Sequence, residues 1–489
     1  MTAKIFASDS VQTLEEFEDC ALRVAEALAE RGVTPGQRVI LKAGNSAAYV
    51  ATLLALMHTA ASIVLIDQQE RSEETLRIAE RTGAKLVLVD NDAAVPDELA
   101  PITLYELLVA AAGRTALDTR LDFGTWCAMP DSLIMWTSGS TGSPKGIVKS
   151  GGRFLENLRR NADQVGHVAA DVLVPLLPFS HQYGLSMVLI AWQVRCSLVI
   201  APYRRLDRSL VMAGQSGGTV LDATPASYRS MLNIVTRNPG LREHLDRVRM
   251  FCVGAAPLDQ PLVDRYVEEF GLPLLDSYGS TELGNIAFAT LDNPVACGTA
   301  MEGIRLRIVD EDGLPVPAGQ PGEIEVDTPD ALEGFLGEDG ELVPVPGGWT
   351  RTGDLGHLDE HGNVFVLGRK YAVHRNGYTL YPELIERKAA AAGCSTRIVA
   401  LDDGSRGSQL VFFVEDEADL GVPHWRGVLR AALPEFEQPN TVVTLDRFPL
   451  NRNGKPDKLR LRELAERQRA GGLLPRQRDT AGQIRPTPA

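Results

Sequence analysis

The chain has little that would place it outside the cell, in a membrane or on a nucleic acid. Six cysteines among 489 residues, Cys20, Cys127, Cys196, Cys252, Cys297 and Cys394, lie far apart. That spacing offers neither the paired thiols of a zinc site nor the density of a disulfide framework, so reduced thiols are expected. No long Lys/Arg run is present, the arginines are scattered among acids, and the net charge is −15. A nucleic-acid partner, which needs a concentrated basic face, is excluded on that balance. Met1 to Ala7 leads at once into acidic, helix-like sequence, with no basic-then-apolar signal segment. The longest apolar stretch, near Ala51 to Ile66, is broken by His58 and small polar residues. It reads as a buried helix followed by a strand, with no membrane span, and a cytoplasmic protein is expected.

What is present is ordinary globular sequence, 44% hydrophobic and 23% charged. Its length exceeds one hydrophobic core and calls for at least two domains. Apolar residues recur at helical spacing from Leu14 to Arg31 (Leu14, Phe17, Ala21, Val24, Leu28), and Gly32 ends that helix. Strand Arg38 to Lys42, helix Ser46 to Thr59, strand Ala61 to Leu65, helix Ser72 to Thr82 and strand Lys85 to Val89 follow. Such βαβ alternation predicts an α/β fold, a parallel-rich sheet covered by helices on both faces. From Leu291 short strands with frequent Gly and Pro turns predict a β-rich subdomain. The periodicity resets at Gly368 to Tyr371, and about a hundred residues of α+β character follow. The expected division is 1–368 as a large domain, 369–470 as a small C-terminal domain and 471–489 as a disordered tail rich in Gly, Arg, Pro and Thr.

The stretch that carries chemistry begins where the apolar strand Ser132 to Trp136 runs into Thr137, Ser138, Gly139, Ser140, Thr141, Gly142, Ser143, Pro144 and Lys145. Glycines let successive N–H groups point one way, and the hydroxyls and the ammonium add donors to the same concavity. A polyphosphate is its natural guest; a Gly/Ser-rich surface turn is the plainer alternative. The loop departs from the common P-loop because Pro144 precedes Lys145, so helix-dipole geometry is not assumed. Further strands run toward Phe179-Ser180-His181-Gln182-Tyr183, toward Asp222-Ala223-Thr224-Pro225, toward Gly254-Ala255-Ala256-Pro257 and toward Asp276-Ser277-Tyr278-Gly279-Ser280-Thr281-Glu282. In an open α/β sheet ligands bind outside the carboxyl ends of the strands, so these loops are expected to share one cleft. The Gly254 to Pro257 turn lets a flat ring lie on backbone, Tyr278 could stack on it, and Glu282 is a candidate Mg²⁺ ligand. His181 reads equally as a satisfied loop histidine or as a pocket wall.

In this order and spacing the segments Thr137 to Gly146, Tyr278 to Glu282, Thr352-Gly353-Asp354, Gly368-Arg369 and Asn453-Gly454-Lys455 resemble the adenylate-forming superfamily of acyl- and aryl-CoA synthetases, peptide-synthetase adenylation domains and firefly luciferase. The resemblance runs to about Leu464. It implies a large ATP- and acid-binding domain and a mobile C-terminal lid. The loop from Thr137 to Lys145 would hold the ATP β- and γ-phosphates, Glu282 would hold Mg²⁺, and Lys455, Thr281, Glu282 and His181 would be the catalytic residues. Gly254, Ala255, Ala256, Pro257, Asp276, Ser277, Tyr278 and Gly279 would cradle the nucleotide. Asp354 would take the ribose hydroxyls, Arg369 would sit near ribose and phosphate, and Lys455 would bridge the acid's carboxylate and the α-phosphate. The implied reaction is acyl-adenylate formation with pyrophosphate release, then transfer to a thiol on CoA or a carrier-protein phosphopantetheine. For that second step the lid would swing about Lys370 or Tyr371, where the common hinge aspartate is absent, and present the face around Gly377.

His181, Asp222, Gly279 and Gly284 are the candidate acid-pocket residues. Phe179-Ser180-His181 lacks the aspartate that amino-acid-activating relatives carry nearby, which favours a non-amino acid. Asp222, in an apolar strand end, is either a local cap for the helix after Pro225 or a partner for a substrate ammonium. An acyl or peptidyl carrier protein is a possible partner. Alternatives are an amine or oxygen acceptor, an amino-acid or β-amino-acid adenylation enzyme, and a non-catalytic nucleotide-binding protein; Lys455, Glu282 and Asp354 together weigh against the last.

Overall fold

The computed structural model describes residues 2–137, 145–371, 373–375, 378–403, 408–451 and 454–470. Two large sheets dominate, of nine and eight strands: the first has a parallel centre with antiparallel pairing at both edges, and the second is antiparallel along one side and parallel through to its other edge. One apolar core lies between them. Strand residues Leu41, Leu65 and Met135 of one sheet and Leu173, Val220 and Met250 of the other belong to it, with helices Leu14–Ala29, Ala47–His58, Gly151–Val165 and Gln182–Val194. Helix Ala47–His58 is buried almost all round, as a helix in a middle layer must be. The outer face of the nine-stranded sheet is covered by Leu206–Ser216, Pro225–Arg237 and Gln260–Phe270, and that of the eight-stranded sheet by Ser72–Thr82. The α/β class with helices on both faces is therefore observed.

A four-stranded antiparallel sheet of Arg305–Val309, Gly322–Asp327, Thr350–Leu358 and Val364–Arg369 forms the β-rich part. Beyond it, strands Thr396–Asp402, Ser408–Glu415 and Thr441–Leu445 make a separate sheet with its own two cores.

Two local expectations are corrected, and two further elements appear that the sequence reading lacks. The strand before the phosphate loop, Leu133–Thr137, pairs antiparallel with Lys145–Lys149, Thr137 opposite Lys145, so the loop joins two strands and no helix follows it directly. Gln182 and Tyr183, read as loop, open the helix Gln182–Val194, whose buried apolar surface outweighs its β-branched and aromatic content. Asp276 to Ser280 lie inside the strand Leu274–Ser280 because Gly284–Phe288 pairs back against them. The helix Lys458–Arg469, capped by Asp457, continues where the resemblance fades.

The parallel strands that lead to the expected cleft are tied together at their opposite ends. Asp171, just before Val172–Pro175, accepts two bonds from Arg249, at 2.7 and 2.8 Å, and one from Thr219 Oγ1 at 2.9 Å. Thr219 and Arg249 immediately precede Val220–Ala223 and Met250–Val253. One carboxylate thus sets the mutual register of three strands. Burial works to raise the Asp171 pKa, but the bonds from Arg249, Val168 N and Thr219 hold it below its ordinary value of 3.8. Its stabilisation is therefore complete above the unfolded value and is lost as pH falls through the lower folded one. Asp171→Asn is expected to cost about 2 kcal/mol in urea unfolding at pH 7. The deficit against wild type should shrink toward pH 3.

Candidate active site

The strand ends come together as expected, and the loops they lead into touch one another. Gly254 follows Met250–Val253, and a Cβ there would collide with Ser277 Oγ and stand 3.2 Å from the Tyr183 ring. Ser277 Oγ in turn donates to Val253 O at 2.9 Å. Ala255 takes φ +66°, a conformation costly for a residue with a Cβ, so this turn is held under local strain. Ala256 and Pro257 continue the turn. Gly254 is packed closely by Ser277 and Tyr183, which leaves no room there for a side chain.

Tyr278 is 8% exposed among Leu283, Ile286 and Ala287, and its hydroxyl donates to Asp354 Oδ2 at 2.7 Å. Arg369 Nε lies 3.0 Å from the other oxygen of Asp354. Burial raises the Asp354 pKa, opposed by Arg369 and by the Tyr278 hydroxyl. Asp276 sits apart from this pair. Its carboxyl accepts from Ser277 N at 2.9 Å and faces Cys297 Sγ at 3.5 Å, and burial pushes its pKa up to about 7 against those bonds and the nearby Arg387.

Lys455 comes from the C-terminal part of the chain. Gly454 rests against Thr224, its Cβ position 3.2 Å from Thr224 Oγ1. Although Lys455 retains exposed area, the surrounding protein lowers its pKa; the Arg369 and Lys458 cations add to that, and Asp354 opposes it. The charges of Arg369 and Asp354 thus act on Lys455, and Tyr278 joins them through its bond to Asp354. Glu383 joins it from the side, accepting from Arg369 N and, at 2.7 Å, from Lys458 Nζ.

Glu282 is half-buried beside Thr281. Among the described residues no three His, Cys, Asp or Glu side chains cluster as a metal cage. A Mg²⁺ bridging phosphates needs none, since one or two carboxylates, phosphate oxygens and water complete its shell, and Glu282 suits that role. Gly279 and Gly284 face each other across the turn, where a Cβ on Gly279 would meet Gly284 O at 2.7 Å. Gly284 has φ +80°, and Asn157 clamps the turn by donating to Asn285 O and accepting from Asn285 N, both at 2.9 Å.

His181 precedes helix Gln182–Val194, with Nε2 3.4 Å from Asp67 Oδ2. Asn45 fixes the approach to it by donating to Leu177 O and accepting from Phe179 N. Asp222 is 2% exposed and accepts from the Tyr183 hydroxyl at 2.9 Å. It does not cap the following helix: Thr224 does, through Ser227 N. Of the phosphate loop, Thr137 ends its strand, and Lys145 opens the next one, exposed, with Nζ 5.5 Å from the Phe335 ring centre. Ser138, Gly139, Ser140, Thr141 and Gly142 lie outside the described residues, as do Gly377 and Asn453. Lys370 donates to Glu323 at 2.9 Å, whereas Tyr371 is exposed.

A model of the AMP-binding enzyme family matches residues 2–336. The chain belongs to that family. A 2-succinylbenzoate–CoA ligase of Bacillus cereus is 26% identical to this enzyme over 464 residues, covering 93% of this chain and 94% of its own. ATP-bound MatB from Rhodopseudomonas palustris superposes with a TM-score of 0.84 at 26% identity, covering 95% of this chain and 96% of its own. O-succinylbenzoate coenzyme A synthetase from Bacillus subtilis, solved with ATP and a magnesium ion, shares the fold at a TM-score of 0.79 and 22% identity, over 94% and 96% of the two chains. No helix among the described residues is long and apolar enough to cross a membrane.

One residue escaped the sequence reading. Lys149, the last residue of Lys145–Lys149, is 2% exposed and donates to Thr281 O at 2.8 Å. Burial lowers its pKa to about 8 against the pull of Glu282, Asp330 and Glu333. A lysine ending an apolar strand was its only signal. Here it anchors the backbone of the Thr281–Glu282 pair from beneath. Lys149→Met is expected to raise the KM for MgATP about tenfold, as loss of a supporting partner does at metal sites, with a smaller change in the KM for the acid. Steady-state kinetics at varied Mg²⁺ and a melting curve check this.

Proposed function

We propose that this AMP-binding enzyme is an AMP-forming acid–thiol ligase. With ATP and Mg²⁺ it joins a small-molecule carboxylic acid to AMP, then passes the acyl group to the thiol of CoA or of a carrier-protein phosphopantetheine. In the first step a carboxylate oxygen bonds to the α-phosphorus and the bond to pyrophosphate breaks. In the second, a thiolate bonds to the acyl carbon and AMP leaves. The observation that supports this reading best is the grip of Tyr278 and Arg369 on Asp354 at the strand-end cleft, with Lys455, from a distant part of the sequence, close enough for the Asp354 and Arg369 charges to act on it.

Each residue has a task matched to its chemistry. The loop from Thr137 to Lys145 holds the β- and γ-phosphates, and Glu282, steadied by Lys149, holds Mg²⁺. The Gly254 to Pro257 turn, with Asp276 to Gly279, receives the base, and Asp354 accepts the ribose hydroxyls, for which a carboxylate with two acceptor oxygens is suited. Lys455 and Arg369 face the charge that spreads over phosphoryl oxygens in the transition state, the largest contribution a preorganised site makes to such chemistry. His181 borders the acid. Residues 1–368 and 369–470 act as two domains. After adenylation the smaller domain turns about Lys370 or Tyr371, removes Lys455 and brings the Gly377 face to the thiol. The cytoplasm, where ATP is available, is its setting.

Lys455→Ala is expected to lower pyrophosphate exchange by about a thousandfold while ATP still binds. Thioester formation from a preformed adenylate should remain. Exchange close to wild type in that variant would contradict the role. Assays with CoA and with a holo carrier protein, on whichever acid supports exchange, name the acceptor.

A further inference from the structure

The strand Val220–Ala223 carries an acid where its neighbours are apolar. Asp222 pairs across the sheet with Pro175 and Cys252, and its face is shared by Val220, Met250 and Leu275 of the inner core. Oδ1 accepts from the Tyr183 hydroxyl at 2.9 Å, while Oδ2 is sealed from solvent and has no partner. A buried oxygen left in that state is costly unless something absent from the free protein satisfies it. The titratable groups facing it are the Tyr183 phenol, the Cys252 thiol and the Tyr228 phenol, all with raised pKa values through burial and none a cation. Among the described residues no Lys, Arg or His forms an ion pair with it.

The place of this oxygen relates it to the reaction. Tyr183, its partner, is the ring that walls Gly254 beside Ser277. Thr224, two residues on and just past the end of the strand, is still extended and touches Gly454 of the lysine loop. Two strand residues span about 6–7 Å, so a group a few bonds from a carboxylate held by Lys455 lies within reach of Asp222.

Resting on the adenylation reading, we propose that Asp222 selects the substrate: the enzyme takes an amino-bearing carboxylic acid, whose ammonium bonds the open Oδ2 while Tyr183 holds the carboxylate in place. This reverses the expectation of a non-amino acid drawn from Ser180 and His181, because the acid comes from the strand Val220–Ala223 and not from that segment. An ammonium supplies both the missing donor and the missing opposite charge. Burial, opposed by the Tyr183 bond, pushes the free carboxyl up to about 7, so binding of the cation also draws it into its ionised form.

The test is pyrophosphate exchange with matched pairs of acids whose amino group is an aliphatic ammonium: 2- and 3-aminobutanoate against butanoate, and 3-(aminomethyl)benzoate against 3-methylbenzoate. At least one amino acid should exceed its unsubstituted partner by about a hundredfold or more in kcat/KM, as sites built around a polar substrate group do. Asp222→Asn should remove most of that preference and Asp222→Leu should reverse it. Tyr183→Phe, a milder change should the Asp222 variants fold poorly, should reduce it about tenfold, the scale of one lost hydrogen bond. In wild type kcat/KM for the amino acid should rise through an ionisation near neutral pH that Asp222→Asn lacks. Plain acids used as well as their amino partners, or a preference that survives Asp222→Asn, would overturn the proposal and leave adenylation standing. Silence with every acid would overturn the adenylation reading and this proposal with it.

Discussion

Asp354 is gripped from two sides, by the Tyr278 hydroxyl at 2.7 Å and by Arg369 Nε at 3.0 Å, and the rest of the site is arranged around that grip. Tyr278 belongs to the large nine-stranded assembly, Asp354 and Arg369 to adjacent strands of the smaller antiparallel sheet. The carboxylate therefore joins two sheets at the cleft. It also sets the charge there: Arg369 alone beside Lys455 would be two cations in mutual repulsion, and Asp354 offsets both. Charges fixed in this way need no reorganisation when a phosphate arrives, which is where such a site gains over water.

The cleft is as rigid as the knot behind it. Asp171, Thr219 and Arg249 tie three parallel strands at the ends remote from the site. At the near ends those strands deliver the approach to His181, Asp222 with Thr224, and the Gly254 turn. Lys149 and Asn157 do the same for the Thr281–Glu282 and Gly284–Asn285 backbones. Buried polar residues thus hold the pieces that the proposed reaction uses. Fully satisfied polar groups rigidify a core, and Asp222 Oδ2, like His181 Nε2 and Gln182 Oε1, departs from that rule.

Much of this was legible in the residues. The helices Leu14–Ala29 and Ser72–Thr82 follow from apolar spacing, and the strands before Thr137, His181, Asp222 and Gly254 from short β-branched runs. The gathering of motif residues followed from where parallel strands end. Helix Gln182–Val194 was not legible, because Tyr183 and Gly184 look like loop until one sees the core that covers them. Nor was the antiparallel return after Thr137, which depends on pairing between strands and leaves no local mark. Lys149 was missed because a lysine ending a strand reads as exposed, and only the third dimension brings Thr281 O to it. Asp222 was noticed for its polarity, but that Thr224 takes the capping role, freeing the acid, is visible only in the fold.

The most direct measurement is the affinity of Asp354→Ala for MgATP by titration calorimetry, with a melting curve to show that the variant is folded. If Asp354 holds the ribose at a cleft built from these strand ends, binding weakens at least tenfold, on the scale of losing charge-assisted hydrogen bonds. Unchanged MgATP affinity in a folded Asp354→Ala protein would contradict the account, because the nucleotide would then lie somewhere other than the cleft that these segments form.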